Sequence, residues 1–161
     1  MNRFFKTVLL TALFAGTMDL ISAYLAQWIK TGKYAGKMLN YIAGGALGLP
    51  ESMPGGNAVA LCGLFFHYFI ATFFTLLFFV LLPRVAFLRF NKYLVGMLYA
   101  VFVDVFVGEI ILPLSRLPTG PFNLSDAIIP WMTLGVVLGI PVAVSAYRYY
   151  RIGITTAPPV A

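Results

Sequence analysis

Four ionisable side chains stand inside long apolar stretches of this sequence: Asp19, His67 and Asp104 at depth, and Glu109 nearer the outer surface. Charged groups in hydrocarbon are costly. Where a chain keeps them they face a bundle interior or a cavity, and they mark solute paths and proton relays. An imidazole near two carboxylates can take up and release protons close to neutral pH, because apolar surroundings and opposite charges push the protonation equilibria in opposite directions. The same residue types could hold a metal or serve as general acid and base on a lipid or isoprenoid. The structural alternative is that each polar group fixes helix register through an interhelical hydrogen bond, worth under about 2 kcal/mol.

The elements that must position these groups are membrane spans. Of 161 residues, 61% are hydrophobic and 10% charged, against roughly 45–50% and about 25% in soluble domains. A water-soluble globule cannot bury that apolar surface, so a soluble enzyme or a simple nucleic-acid-binding domain is excluded. The net charge of +6 is assigned to basic loops beside anionic lipid, and no nucleic acid partner is expected. Four stretches reach the roughly 20 residues that a bilayer requires: Thr7 to Ile29, Asn57 to Leu82, Tyr93 to Leu112 and Ala127 to Tyr147. Pro54-Gly55-Gly56 precedes Asn57 as an expected N-cap, Pro83 stops the second span, Pro113 closes the third, and Ser125-Asp126 cap the fourth. The expected fold is an all-α, polytopic membrane protein of four transmembrane helices forming a single domain over residues 1–151, with a disordered tail over 152–161. The N-terminal Met-Asn-Arg-Phe-Phe-Lys run resembles a signal peptide, but the apolar pattern resumes after Asp19, so it reads as a retained first span.

Between the first two spans, Met38 to Leu49 is too short to cross and too apolar for a solvated loop, and is expected to form a re-entrant or interfacial half-helix on the outer side. The loop after the third span carries Pro113, Pro118 and Pro121 and is expected to be rigid and to cover the outer mouth. Arg3, Lys6, Arg84, Arg89, Lys92, Arg148 and Arg151 fall on one side, against Lys30, Lys33, Lys37 and Arg116 on the other. This asymmetry places both termini in the cytoplasm.

The chemistry-bearing residues share a depth and a face. Asp19, His67 and Asp104 lie about 15, 15 and 12 Å from the outer ends of their spans, at 1.5 Å per residue. Each sits on a small-residue stripe: Ala12, Ala15 and Ala23 with Asp19; Ala60, Gly63, Ala71 and Thr75 with His67; Gly96, Ala100 and Gly108 with Asp104. The fourth span repeats Gly135, Gly139 and Ala143. Small residues let helix backbones approach in lipid, so the trio should point inward, leaving Phe65, Phe69, Phe73, Phe74, Phe78 and Phe79 largely to the acyl chains. Glu109 and Arg116 form an expected rim, Glu109 pairing with Arg116 or a loop lysine. Trp28 and Trp131, with Tyr147, Tyr149 and Tyr150, suit a headgroup belt, an aromatic substrate box being the sharper alternative. Pro141 is expected to kink the fourth helix, and Arg148 and Arg151 to meet anionic headgroups.

The single cysteine, Cys62, excludes an intrachain disulfide, and GxxxxGK[ST], HExxH, GxSxG and CxxC are absent. No metal or cofactor is expected, and no catalytic residue is assigned. The leading function is proton-coupled transport or permeation of a small solute. A structural or assembly subunit of a membrane complex is the alternative, and a lipid-modifying enzyme comes third. Four spans make a narrow bundle, so a homodimer or a partner membrane subunit is expected beside the lipid bilayer.

Two segments, Ala15-Gly16-Thr17-Met18-Asp19-Leu20 and Gly63-Leu64-Phe65-Phe66-His67-Tyr68-Phe69, resemble uncharacterised bacterial inner-membrane proteins of the YagU kind. Those proteins similarly place a small-polar patch in the first helix and a His-aromatic patch in the second. The resemblance covers about three quarters of the chain. It implies a four-span bundle in the bacterial inner membrane and brings no reaction or catalytic residue with it.

Overall fold

The computed structural model describes residues 2–120 and 122–152. Four helices are long and apolar enough to cross a membrane: α1 (Arg3–Thr31), α4 (Asn57–Leu81), α5 (Lys92–Leu114) and α6 (Leu124–Tyr150). Between α1 and α4 lie α2 (Met38–Leu47) and the one-turn α3 (Leu49–Ser52). Helices are the economical answer in lipid because each satisfies its own backbone hydrogen bonds. The chain is an integral membrane protein with the expected four spans and short apolar half-helix.

Several end signals differ from the expected ones. Gly56 caps α4, so Asn57 is its first helical residue. Asn123 caps α6, its Oδ1 accepting from the Ser125 amide, because an Asx side chain one residue outside the helix reaches the free amides that Ser125, already helical, cannot. Pro113 does not end α5, which runs on to Leu114. Instead Val107–Ile111 and Gly135–Gly139 are π turns, each two residues before a proline, Pro113 or Pro141. A proline has no amide and its ring clashes with the carbonyl four residues earlier. A widened turn at that point redirects the hydrogen bonds to the fifth residue back, Leu112 to Val107 O and Ile140 to Gly135 O. The expected Pro141 kink thus takes the form of a π turn.

The spans meet through their small residues. A Cβ on Gly96 would come within 2.8 Å of Gly139 O, and one on Gly139 would strike Gly96 O in turn, so α5 and α6 touch backbone to backbone. Gly63 of α4 does the same for α2, receiving Leu39 O and the Ala43 amide. Gly16 of α1 faces Ala71 and the Tyr68 ring. The half-helix therefore lies against α4, and the glycine that permits the approach, Gly63, belongs to α4, whereas Gly44 and Gly45 of α2 face Leu49, Ser52, Ser115 and Leu117.

The bundle is packed unevenly along its length. At the end holding Arg3, Pro83 and Tyr150, a dry core joins Val8, Phe78, Phe79, Val95, Val142 and Ala146. Phe78 and Tyr99 sit edge to face at 4.8 Å, and the buried Tyr99 hydroxyl donates to Phe74 O at 2.6 Å. Phe65 and Phe69 are 65% and 60% exposed, as expected for lipid-facing rings. Phe74, Phe78 and Phe79, by contrast, are fully buried: they follow His67 and Ala71 on one helical face, and position outweighs side-chain type. Tyr147 and Tyr150 also differ from the expected belt. Their hydroxyls donate to Leu88 O and Phe79 O, and they close this end of the bundle. Trp28 is exposed, as a belt residue should be. Ile152, assigned to the tail, packs on the core and donates its amide to Tyr147 O at 3.0 Å. Pro121 and residues 153–161 lie outside the described residues.

Candidate functional site

The other half of the bundle encloses a cavity of about 480 Å³, bordered by Asp19 of α1, His67 of α4 and Asp104 of α5. This volume falls in the usual range of small-molecule sites, roughly 300–1,000 Å³. The walls are largely apolar, with Phe66, Ile70, Val103 and Leu138 among them. α2 and the segment Ser115–Leu117 border it on one side, and Phe74 stands between it and the dry core. The trio expected from depth and face therefore lines one space. Antiparallel succession of the spans explains why: the second half of α1, the first half of α4 and the second half of α5 all lie at the same end.

Each of the three is held differently. His67 Nε2 lies 2.8 Å from Gly16 O. A carbonyl only accepts, so Nε2 carries the hydrogen and Nδ1 is the ring's basic nitrogen. The bond depends on Gly16, whose lack of a side chain lets α4 approach closely. Asp104 Oδ2 accepts from Trp131 Nε1 at 2.8 Å, joining α5 to α6. Among the described residues the Asp19 carboxylate has no hydrogen-bond donor, and it borders the same cavity as His67 and Asp104. No lysine or arginine among the described residues borders the cavity. The titratable groups in the lining are two carboxyls and one imidazole, a set that can take up protons and attract cations.

The role of Trp131 is the main residue that sequence reading missed. Placed near a span end, it reads as a belt residue. Its indole is the donor that a carboxylate at the depth of Asp104 requires. Thr17 and Tyr68 form a second unforeseen link, hydroxyl to hydroxyl at 2.7 Å between α1 and α4, one residue from Gly16 and His67 respectively. Glu109 and Arg116 are both exposed. The Arg116 guanidinium donates to Leu47 O at 3.3 Å and its amide to Gly45 O at 3.0 Å. These unpaired carbonyls at the end of α2 attract a cation. In place of the expected Glu109 pair, Arg116 thus fastens the post-α5 loop to the half-helix and keeps Ser115 and Leu117 over the cavity. Among the described residues no group of three His, Cys, Asp or Glu side chains could hold a metal ion.

Replacing Trp131 with phenylalanine removes the only donor to the Asp104 carboxylate among the described residues. The expected cost is about 1–2 kcal/mol, between the usual value for a bond to a charged group and the lower values found in lipid. Reversible unfolding in mixed micelles measures it, and Asp104→Asn, which retains an acceptor, should cost less. The chain matches no family model, no curated protein and no solved structure.

Proposed function

We propose that this integral membrane protein binds a small solute in the intramembrane cavity and couples its passage to protonation of Asp19, His67 and Asp104. The observation that carries the reading is the convergence of three titratable groups from three helices on one apolar-walled space, with no donor to the Asp19 carboxylate among the described residues. A proton on Asp19 and a cationic solute at the same carboxylates would exclude each other, which is the minimum requirement for exchange. Passage through the bundle further requires the Phe74, Phe78 and Tyr99 cluster to move, since it fills the space between the cavity and the basic end.

A structural reading has its own support: His67 and Asp104 each hold a neighbouring helix by a hydrogen bond. One experiment separates the two. The full chain is reconstituted in vesicles holding a pH-sensitive dye, and dissipation of an imposed pH gradient is followed with and without a panel of small amines. Coupled passage predicts that at least one amine accelerates dissipation, and that Asp19→Asn and Asp104→Asn insert and fold normally but lose at least about nine tenths of the effect. Misassembly of these variants, or flux unchanged by them, overturns the proposal in favour of a subunit whose polar groups only fix packing.

A further inference from the structure

A second concave region, sharing no lining residue with the cavity, lies between α1 and α6 at the basic end, with a volume of about 530 Å³. Arg3, Thr7, Leu10 and Phe14 line it from α1; Pro141, Val144, Ser145 and Arg148 line it from α6. Its floor is sealed by the Thr11 and Ser145 hydroxyls, which bond at 2.6 Å. Both arginines sit at the end of the groove nearest the helix termini and are exposed; Leu10 and Phe14, also exposed, and Pro141 lie further along the spans. From Arg3 to Phe14 a helix rises about 16 Å, close to half of the roughly 30 Å hydrocarbon thickness. The groove is thus about one leaflet deep, with cations at its mouth and hydrocarbon along its length.

The charge distribution selects the occupant. The chain has five acidic side chains, Asp19, Glu51, Asp104, Glu109 and Asp126. None borders the groove, so no carboxylate neutralises Arg3 or Arg148 there. Two other arginines at this end are committed to the protein, Arg84 donating to Val80 O and Arg89 to Leu82 O and Pro83 O, while Arg151 lies outside the groove. Among the described residues Arg3 and Arg148 donate no such bond. Paired guanidinium groups recognise phosphate oxygens, and the apolar trough below them matches an acyl chain.

We propose that this groove binds one anionic phospholipid, its phosphate held between Arg3 and Arg148 and one acyl chain lying over Leu10, Phe14, Pro141 and Val144. The site shares no residue with the cavity and does not depend on the transport reading.

The test is native mass spectrometry of the full chain in detergent, titrated with phosphatidylglycerol or phosphatidylcholine of identical acyl chains. One phosphatidylglycerol per chain is expected to remain bound where phosphatidylcholine does not. Arg3→Gln with Arg148→Gln should weaken retention at least about tenfold, since charge-assisted guanidinium–phosphate bonds are roughly twice as strong as neutral ones. Lys6→Gln with Arg151→Gln removes the same charge at the same end, but neither side chain lines the groove, so retention should change far less. Val144→Trp keeps both arginines and fills the trough, so it too should expel the lipid. Equal losses in the two double variants would replace the site by diffuse attraction to the basic end. Retention in Val144→Trp, or equal displacement by glycerol phosphate, would reduce it to a phosphate contact without a lipid site.

Discussion

Gly139→Val should abolish the folded bundle or cost at least about 3 kcal/mol, the largest effect expected from any single small-residue substitution here. Overpacking usually costs about 1–3 kcal/mol because neighbouring side chains can shift. At Gly139 the obstacle is the Gly96 carbonyl with the Ala100 Cβ at 3.1 Å, and at Gly96 it is the Gly139 backbone. Neither can move without parting α5 from α6. Gly135, four residues earlier, opposes the Met97 thioether, a flexible side chain, so Gly135→Ala is the gentler change. Gly108 meets nothing within 4 Å, and Gly108→Val is the matched control. Denaturant titration of the purified protein, with the yield of folded chain, reads all three. A Gly139→Val protein as stable as the parent would refute the backbone contact.

The second large effect is local. Gly63→Val places methyl groups where Leu39 O and the Ala43 amide now lie, and it should unseat α2 from α4 while leaving the four spans intact. A ten-residue helix is too short to persist alone in water, so detachment should also melt it. Amide hydrogen exchange over residues 38–47 should accelerate at least about a hundredfold, equivalent to nearly 3 kcal/mol of lost local stability. Protection within α5 and α6 should be unchanged. Because Arg116 is fastened to the end of α2, the covering of the cavity near Ser115 and Leu117 loosens with it. Unchanged exchange in 38–47 would mean that α2 is held by something other than its seat on Gly63.

The four spans and the half-helix were legible because apolar length is an unambiguous demand of the bilayer, and breaks such as Pro54-Gly55-Gly56 and Pro83 interrupt it visibly. The convergence of Asp19, His67 and Asp104 was legible for a related reason: depth follows from residue count, and small residues mark the inward face. Phe74 and Phe78 were misread because hydrocarbon and protein are equally good neighbours for a phenyl ring. Their composition says nothing about which they meet, whereas their spacing from His67, seven and eleven residues, does. Trp131 and Tyr147 were misread because a polar-tipped ring near a span end suits a headgroup or a buried acceptor equally. Which one it meets depends on a neighbouring helix, and local sequence does not encode that. Arg116 fell in the same class, since its partners are carbonyls of α2 and carbonyls leave no trace in residue identity.

The π turns at Val107–Ile111 and Gly135–Gly139 have a consequence for how α5 and α6 present their surfaces. Four residues on an ordinary helix sweep about 400°, so a strict every-fourth pattern precesses by about 40° per step. A local loop of larger circumference absorbs that precession, which is how Gly135, Gly139 and Ala143 all remain buried along one line. Each of these two spans is therefore a pair of shorter cylinders joined out of phase. A substitution map of either should show its tolerant and intolerant positions changing phase at the junction, beside Asp104 in one and beside the glycine crossing in the other.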